Sequence, residues 1–338
     1  MTRSRLVQGV QTAGIPIDPA RGSRRRAVGK ASRPSRGADP DRSGAAAWPF
    51  ARLLDGPESP NPASTTADAL DRLQASLKQH FEAVFGDREA LRLQAMLDAA
   101  EHAITTIACT DAPYHNREHT LLVCQVGQQI LNGKHALGDT ISAQQWVNYI
   151  VSLLFHDIGY VKDALPGDIA GSLVADGLGA WVQLPSGATD AFLTPLHVDR
   201  GVAYVRQFFA NNSLIDAEVL AVHIENTRFP PPQHVRDRTR SRHQWRDLVP
   251  AADLIGQLAD PAYLQKLPAL YAEFLECGVA QATGLAGPSD LVRQFPRFYR
   301  ELVASLVEVG FEALEAVPEG RLWGESLRAT IARCQGYA

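Results

Sequence analysis

Two short stretches hold the residues best able to do chemistry. Pro-Tyr-His-Asn-Arg-Glu-His-Thr runs from Pro113 to Thr120, and Leu-Leu-Phe-His-Asp-Ile-Gly-Tyr from Leu153 to Tyr160. The four-residue spacing of His115 and His119 predicts that both project from one face of a helix. His156 and Asp157 close an apolar run, Tyr149 to Phe155, that reads as fully buried. An imidazole and an ionised carboxylate at the end of such a helix need compensation, because burying an unpaired charge is expensive. A divalent cation supplies it.

Further candidates follow downstream: His197 in Pro-Leu-His-Val-Asp-Arg-Gly, His223 in Ala-Val-His-Ile-Glu-Asn-Thr and Asp253 in Val-Pro-Ala-Ala-Asp-Leu-Ile. All three lie on segments with helical apolar periodicity. With His119, His156 and Asp157 they give a mixed imidazole and carboxylate set suited to two Mn, Fe, Zn or Mg ions bridged by a carboxylate and a water. His197 and His223 read either as ligands or as histidines that orient a ligand. Such a pair of cations lowers the pKa of a shared water and neutralises charge on a transferring phosphoryl group. A protonated histidine beside the leaving group adds general acid catalysis, worth about 10²- to 10⁴-fold. Lys162, Arg200 and Arg228 are the basic residues nearest the ligands in sequence. They read either as holders of phosphate oxygens or as ordinary surface charges. Glu225 reads as a ligand-orienting group or a helix-end charge, and His80, His102, His135, His234 and His243 as surface residues.

The ordered set resembles the HD-domain metal-dependent phosphohydrolase superfamily over roughly Ser64 to Asp260. Tyr114 to His119 looks like the Tyr-His-Asn-x-x-His segment of cyclic-nucleotide phosphodiesterases. The resemblance implies an all-α, HD-type helical bundle. It implies that His119, His156 and Asp253 ligate a first metal, that Asp157 bridges two, and that His115 protonates the leaving alkoxide. The order is also similar to that of dinuclear members, including bacterial cyclic-di-nucleotide phosphodiesterases, which implies a second ion on His197 and His223. The chain departs from these relatives at Gly159-Tyr160-Val161, where no Gly-Tyr-Pro signature stands. Tyr160 occupies the place of a further histidine of the cyclic-nucleotide enzymes. The site class therefore transfers and the substrate does not. The expectation is hydrolysis of a small-molecule phosphate ester, most specifically a phosphodiester of a nucleotide-like compound. One rival is a diiron oxygenase built on similar ligands, which has no evident need of an acid at His115. Another is a metal-stabilised sensor or binding module without catalysis.

Helices must position these groups. Ser64 to Asp68 is a capping signal for a helix reaching about Phe85. Helices are predicted from about Arg88 to Cys109, through His119 to Asn132-Gly133, from Ser142 to about Ile158, and from His197 to Phe209. More follow over Asp216 to Glu225, Gln244 to Leu258, Pro261 to Glu276, Pro288 to about Ala316, and Glu325 to Cys334. Residues 163–195, rich in Gly and Pro, predict a long loop with one short hairpin, placed to act as a lid. A second loop runs from Pro230-Pro231-Pro232 through Arg236 to Arg246.

The 338 residues are 45% hydrophobic and 21% charged, the balance of a soluble globular chain. A net charge of -4 argues against a stable nucleic-acid partner overall. Residues 1–64 differ, being Arg-, Gly-, Pro- and Ser-rich with few large apolar side chains, and read as a disordered basic extension before one domain from about residue 65 onward. No apolar run approaches the roughly 18 residues of a membrane span. The four cysteines show no CxxC pairing, which fits a reducing cytoplasm. Phe295, Phe298 and Tyr299 read as core or subunit-interface residues, and the C-terminal helices are expected to cover the metal core and offer a homodimer contact.

Overall fold

Strong local signals set most of the helices in the computed structural model, which describes residues 65–230 and 245–336. The basic extension over 1–64, most of the loop after Pro230, and His234 and His243 lie outside the described residues. Thr65 accepts from Asp68 N while the Asp68 carboxylate accepts from Thr65 N, a reciprocal cap that starts α1, Thr66–Phe85. Ala69, Leu73, Leu77 and Phe81, each four apart, are its buried stripe. After α2 (Ala90–Ile107), Asn116 caps α3 (Arg117–Ala136) by accepting from Glu118 N. Ser142 and Gln145 form a second reciprocal cap at the start of α4, Ala143–Phe155.

The chain then passes a tight turn over Ile158–Tyr160 and a two-stranded antiparallel hairpin. In it β1 (Ser172–Val174) pairs with β2 (Trp181–Gln183), and Leu173 stands opposite Val182. Helices resume with α5 (His197–Phe208), α6 (Ala217–Glu225), α7 (Trp245–Leu258), α8 (Tyr263–Glu276) and α9 (Val279–Thr283). α10 (Pro288–Phe298) runs through a wide π turn, Tyr299–Val303, into α11 (Ala304–Glu315), and α12 (Pro318–Gln335) completes the described chain. The fold is all-α, and among the described residues the one hairpin lies inside the long connection predicted near 163–195. No helix among the described residues is long and apolar enough to cross a membrane.

α3 lies at the centre, packed against α4, α7 and α11, with α5 against α6 and α2 against α4. One hydrophobic core links Ala69 at the start of the described chain to Cys334 near its end. Two boundaries differ from expectation. Gly133 does not stop α3, which continues to Ala136, and α12 begins with Pro318 in its first turn rather than at Glu325. Gly133 serves packing instead: a Cβ there would collide with the Ala313 carbonyl on α11. Gly→Ala stabilises an exposed helix by about 1 kcal/mol. Gly133→Ala is expected to reverse that sign and lose about 1–3 kcal/mol by overpacking, read as a lower denaturation midpoint.

Phe295 is fully buried, as expected for a core residue. His102 is not the surface residue predicted; its ring stacks on Phe208 at 4.1 Å and contacts the Tyr204 hydroxyl at 2.5 Å.

Candidate metal centre

The buried run of α4 delivers His156 and Asp157 at its C-terminal end, where the backbone leaves the helix. His119 comes from the first turn of α3 and Asp253 from the middle of α7, the helix packed along α3. The four converge. His119 Nε2 lies 3.3 Å from His156 Nε2, 3.4 Å from Asp157 Oδ2 and 3.1 Å from Asp253 Oδ1. His156 Nε2 lies 3.2 Å from Asp157 Oδ2 and 3.6 Å from Asp253 Oδ1. His119, His156 and Asp157 form a compact donor group able to hold an ion.

Hydrogen bonding on the far side of each ring fixes what these atoms offer. His156 Nδ1 meets the Leu153 carbonyl at 2.7 Å, and His197 Nδ1 the Thr194 carbonyl at 2.6 Å. A carbonyl only accepts, so each Nδ1 carries its proton and each Nε2 presents a lone pair. Ser152 donates to the Asn148 carbonyl, so its oxygen accepts from His223 Nδ1 at 2.9 Å, leaving His223 the same tautomer. Lone pairs of His156 and Asp157 thus face each other in a buried space. Asp157 Oδ2 makes no hydrogen bond there. A proton or a cation must sit between them, and the imidazole and carboxylate donors fit Mn, Fe or Zn.

His197 approaches the opposite oxygen, Asp157 Oδ1, at 3.8 Å. A Cβ on Gly159 would strike the His197 carbonyl, so glycine there lets α5 lie directly on the turn that follows Asp157. His223 is not brought into the cluster. It stands behind Ser152, and burial alone pushes its pKa down to about 4.

His115 differs from its predicted placement. It precedes the Asn116 cap, so it does not share a helical face with His119; the two rings meet edge-to-face at 5.5 Å. Glu273 on α8 holds it. Its Oε1 accepts from the backbone N–H of Tyr114 (2.6 Å) and His115 (3.0 Å), and its Oε2 from His115 Nδ1 (2.5 Å). Tyr160 stacks on His115 at 4.8 Å and on His197 at 4.5 Å. Side-chain exposures of 16% for His115, 18% for His197 and 20% for Asp253, against 1% for His156, mark the side open to solvent. Glu273 was missed by motif reading. Its signal is an acid on the buried stripe of α8 with Leu267 and Leu270.

The three basic residues expected to hold phosphate are each engaged by protein groups, and only Arg200 is ruled out by them. Arg200 is fully buried: it donates to the carbonyls of Gly159, Val161 and Val174 and forks onto Asp168, stapling the turn to the hairpin with no donor to spare. Lys162 lies 2.9 Å from Asp111 and 3.4 Å from Asp190, and Arg228 is held 2.8 Å from both Asp199 and Glu225.

Burial alone would lower His115 and His156, yet Glu273 raises the first and Asp157 the second, each to about 9. Burial likewise opposes ionisation of Asp157, but His156 outweighs it and holds the carboxyl well below its usual range. The histidines raised from 6.5 to about 9 contribute stability that is full below pH 6.5 and lost as pH rises towards 9. His223, lowered to about 4, acts oppositely, so stability falls as pH drops from 6.5 towards 4. The metal-free protein is expected to be most stable near pH 6.5. Cations must displace the extra proton on His156, so Mn(II) is expected to raise the melting temperature more at about pH 8.5 than at about pH 6. Thermal denaturation across pH, with and without Mn(II), reads both.

The fold and site define an all-α protein with a buried imidazole–carboxylate centre. The chain belongs to the Npun_R2479-like family, whose family model matches residues 64–336. No curated protein matches it.

Proposed function

We propose that this protein is a metal-dependent phosphohydrolase, cleaving a phosphodiester of a nucleotide-like small molecule with His115 as general acid. The observation that carries the reading is the Glu273–His115 pair beside the convergent His119, His156, Asp157 and Asp253. The resemblance of the two histidine motifs to HD-domain phosphohydrolases supports it. His119, His156, Asp157 and Asp253 would hold one divalent cation, and Asp157 Oδ1 with His197 offers donors to a second. Bound there, a cation supplies Lewis acidity towards a phosphoryl oxygen and lowers the pKa of a water. Glu273 accepts from His115 Nδ1, which fixes the tautomer and leaves Nε2 as the atom that can pass a proton to a departing oxygen. The raised pKa keeps His115 charged at neutral pH. A general acid has no evident use in oxygen activation by the same ligands, so the pair favours hydrolysis.

The test is hydrolysis of bis-p-nitrophenyl phosphate by protein reconstituted with Mn(II) or Fe(II), beside His115→Gln. Metal-dependent turnover that falls about 10²- to 10⁴-fold in the variant, with cation content unchanged, is the expected result. Protein that holds its cation, turns over no phosphodiester and consumes dioxygen in the iron form overturns the reading.

A further inference from the structure

A cleft of about 100 Å³ opens beside His119, walled by Pro113, Tyr114, Asn116, Glu118, Leu122, Asp260 and Lys266. His119 is at once its wall and a member of the donor group, so whatever fills the cleft lies one imidazole away from the centre. Lys266 Nζ sits 2.7 Å from both Glu118 Oε1 and Asp260 Oδ2. The Asp260 Oδ1 atom is taken by Ala262 N at 2.8 Å. Tyr114 adds a group that a ligand could engage. The residue is only 5% exposed and lines the cleft, yet its hydroxyl has no hydrogen-bond partner among the described residues. That oxygen is open to the cleft, so water or a ligand must meet its hydrogen-bonding needs.

The lining states what would satisfy it. Two carboxylates against one ammonium leave this wall with excess negative charge, so it repels an anion and the phosphate belongs on the cation side of His119. Acceptors at Glu118, a donor at Lys266, and a group at Tyr114 that does both match hydroxyls, each of which donates and accepts. Tyr114 and the His119 imidazole are the rings of the wall, and Glu118, Asn116, Asp260 and Lys266 beside them offer hydrogen bonds. We propose that the Tyr114–Glu118–Lys266 cleft binds the hydroxylated, sugar-like part of the substrate, which makes that substrate a phosphate ester of a polyol or sugar. This rests on the phosphohydrolase reading and narrows it.

Equilibrium binding to Mn(II)-loaded full-length protein tests it without turnover, comparing ribose 5-phosphate with propyl phosphate, which carries the phosphate and no hydroxyls. Ribose 5-phosphate is expected to bind about tenfold more tightly or better, the effect of one or more net hydrogen bonds. Tyr114→Phe removes only the hydroxyl and leaves the backbone bond to Glu273 intact. It and Lys266→Gln should erase most of that advantage while propyl phosphate affinity holds. Equal affinity of wild type for the two esters, or an advantage that survives both substitutions, overturns the cleft assignment and spares the phosphohydrolase reading. Failure of cation-loaded protein to bind either ester overturns the cleft assignment, while the phosphohydrolase reading stands or falls with turnover of bis-p-nitrophenyl phosphate.

Discussion

Asp157→Asn is expected to weaken Mn(II) binding by more than the 10- to 100-fold typical of losing a ligand's supporting partner, and to abolish cation-dependent turnover. The carboxylate is the shared element of the centre: Oδ2 faces His119 and His156, and Oδ1 faces His197. An amide of the same size keeps the packing but removes the charge that draws a cation into a buried space. The same charge raises His156, so the loss of stability of metal-free protein above pH 6.5 should also shrink. Calorimetric titration with Mn(II) and pH-dependent melting read the two effects separately. Wild-type cation affinity in the variant would remove Asp157 from the site.

The second large effect concerns Glu273, which is fully buried and serves three donors. In Glu273→Gln a single amide oxygen must replace two carboxylate oxygens. The amide NH2 is then turned towards either the backbone N–H groups of Tyr114 and His115 or the ring Nδ1. Breaking one half of a buried pair typically destabilises by about 3–5 kcal/mol. Without the carboxylate, burial is left to lower the pKa of His115, so the basic limb of the pH–rate profile should move to lower pH and turnover fall by about 10²-fold or more. Cation content should not change. Stability and pH profile matching wild type would reduce Glu273 to a packing residue.

Much of this architecture is legible in the chain. Thr65 with Asp68, and Ser142 with Gln145, act within four residues, so the helix starts they dictate need no tertiary context. The uninterrupted apolar run before His156 can only be buried, and it carries the imidazole and carboxylate inside with it. Gly133 misleads for a physical reason. Glycine after a helical stretch is the usual stop signal, but here it allows contact with the Ala313 carbonyl, which no local pattern reveals. Arg200 misleads likewise: three residues after His197 it reads as a phosphate holder, and only the packing of α5 against the hairpin shows its donors spent.

By itself, then, the chain determined its helical class, the caps, the buried end of α4 and the nomination of His119, His156, Asp157 and Asp253, because each follows from short-range periodicity or spacing. Tertiary structure decided which nominees meet. It brought His197 to the far oxygen of Asp157, left His223 behind Ser152, and set Glu273 against His115 across 158 residues of sequence. A hydrogen bond spanning that distance leaves no trace in local pattern, since it depends on how whole helices cross, and that is fixed by side-chain volumes along α3 and its neighbours.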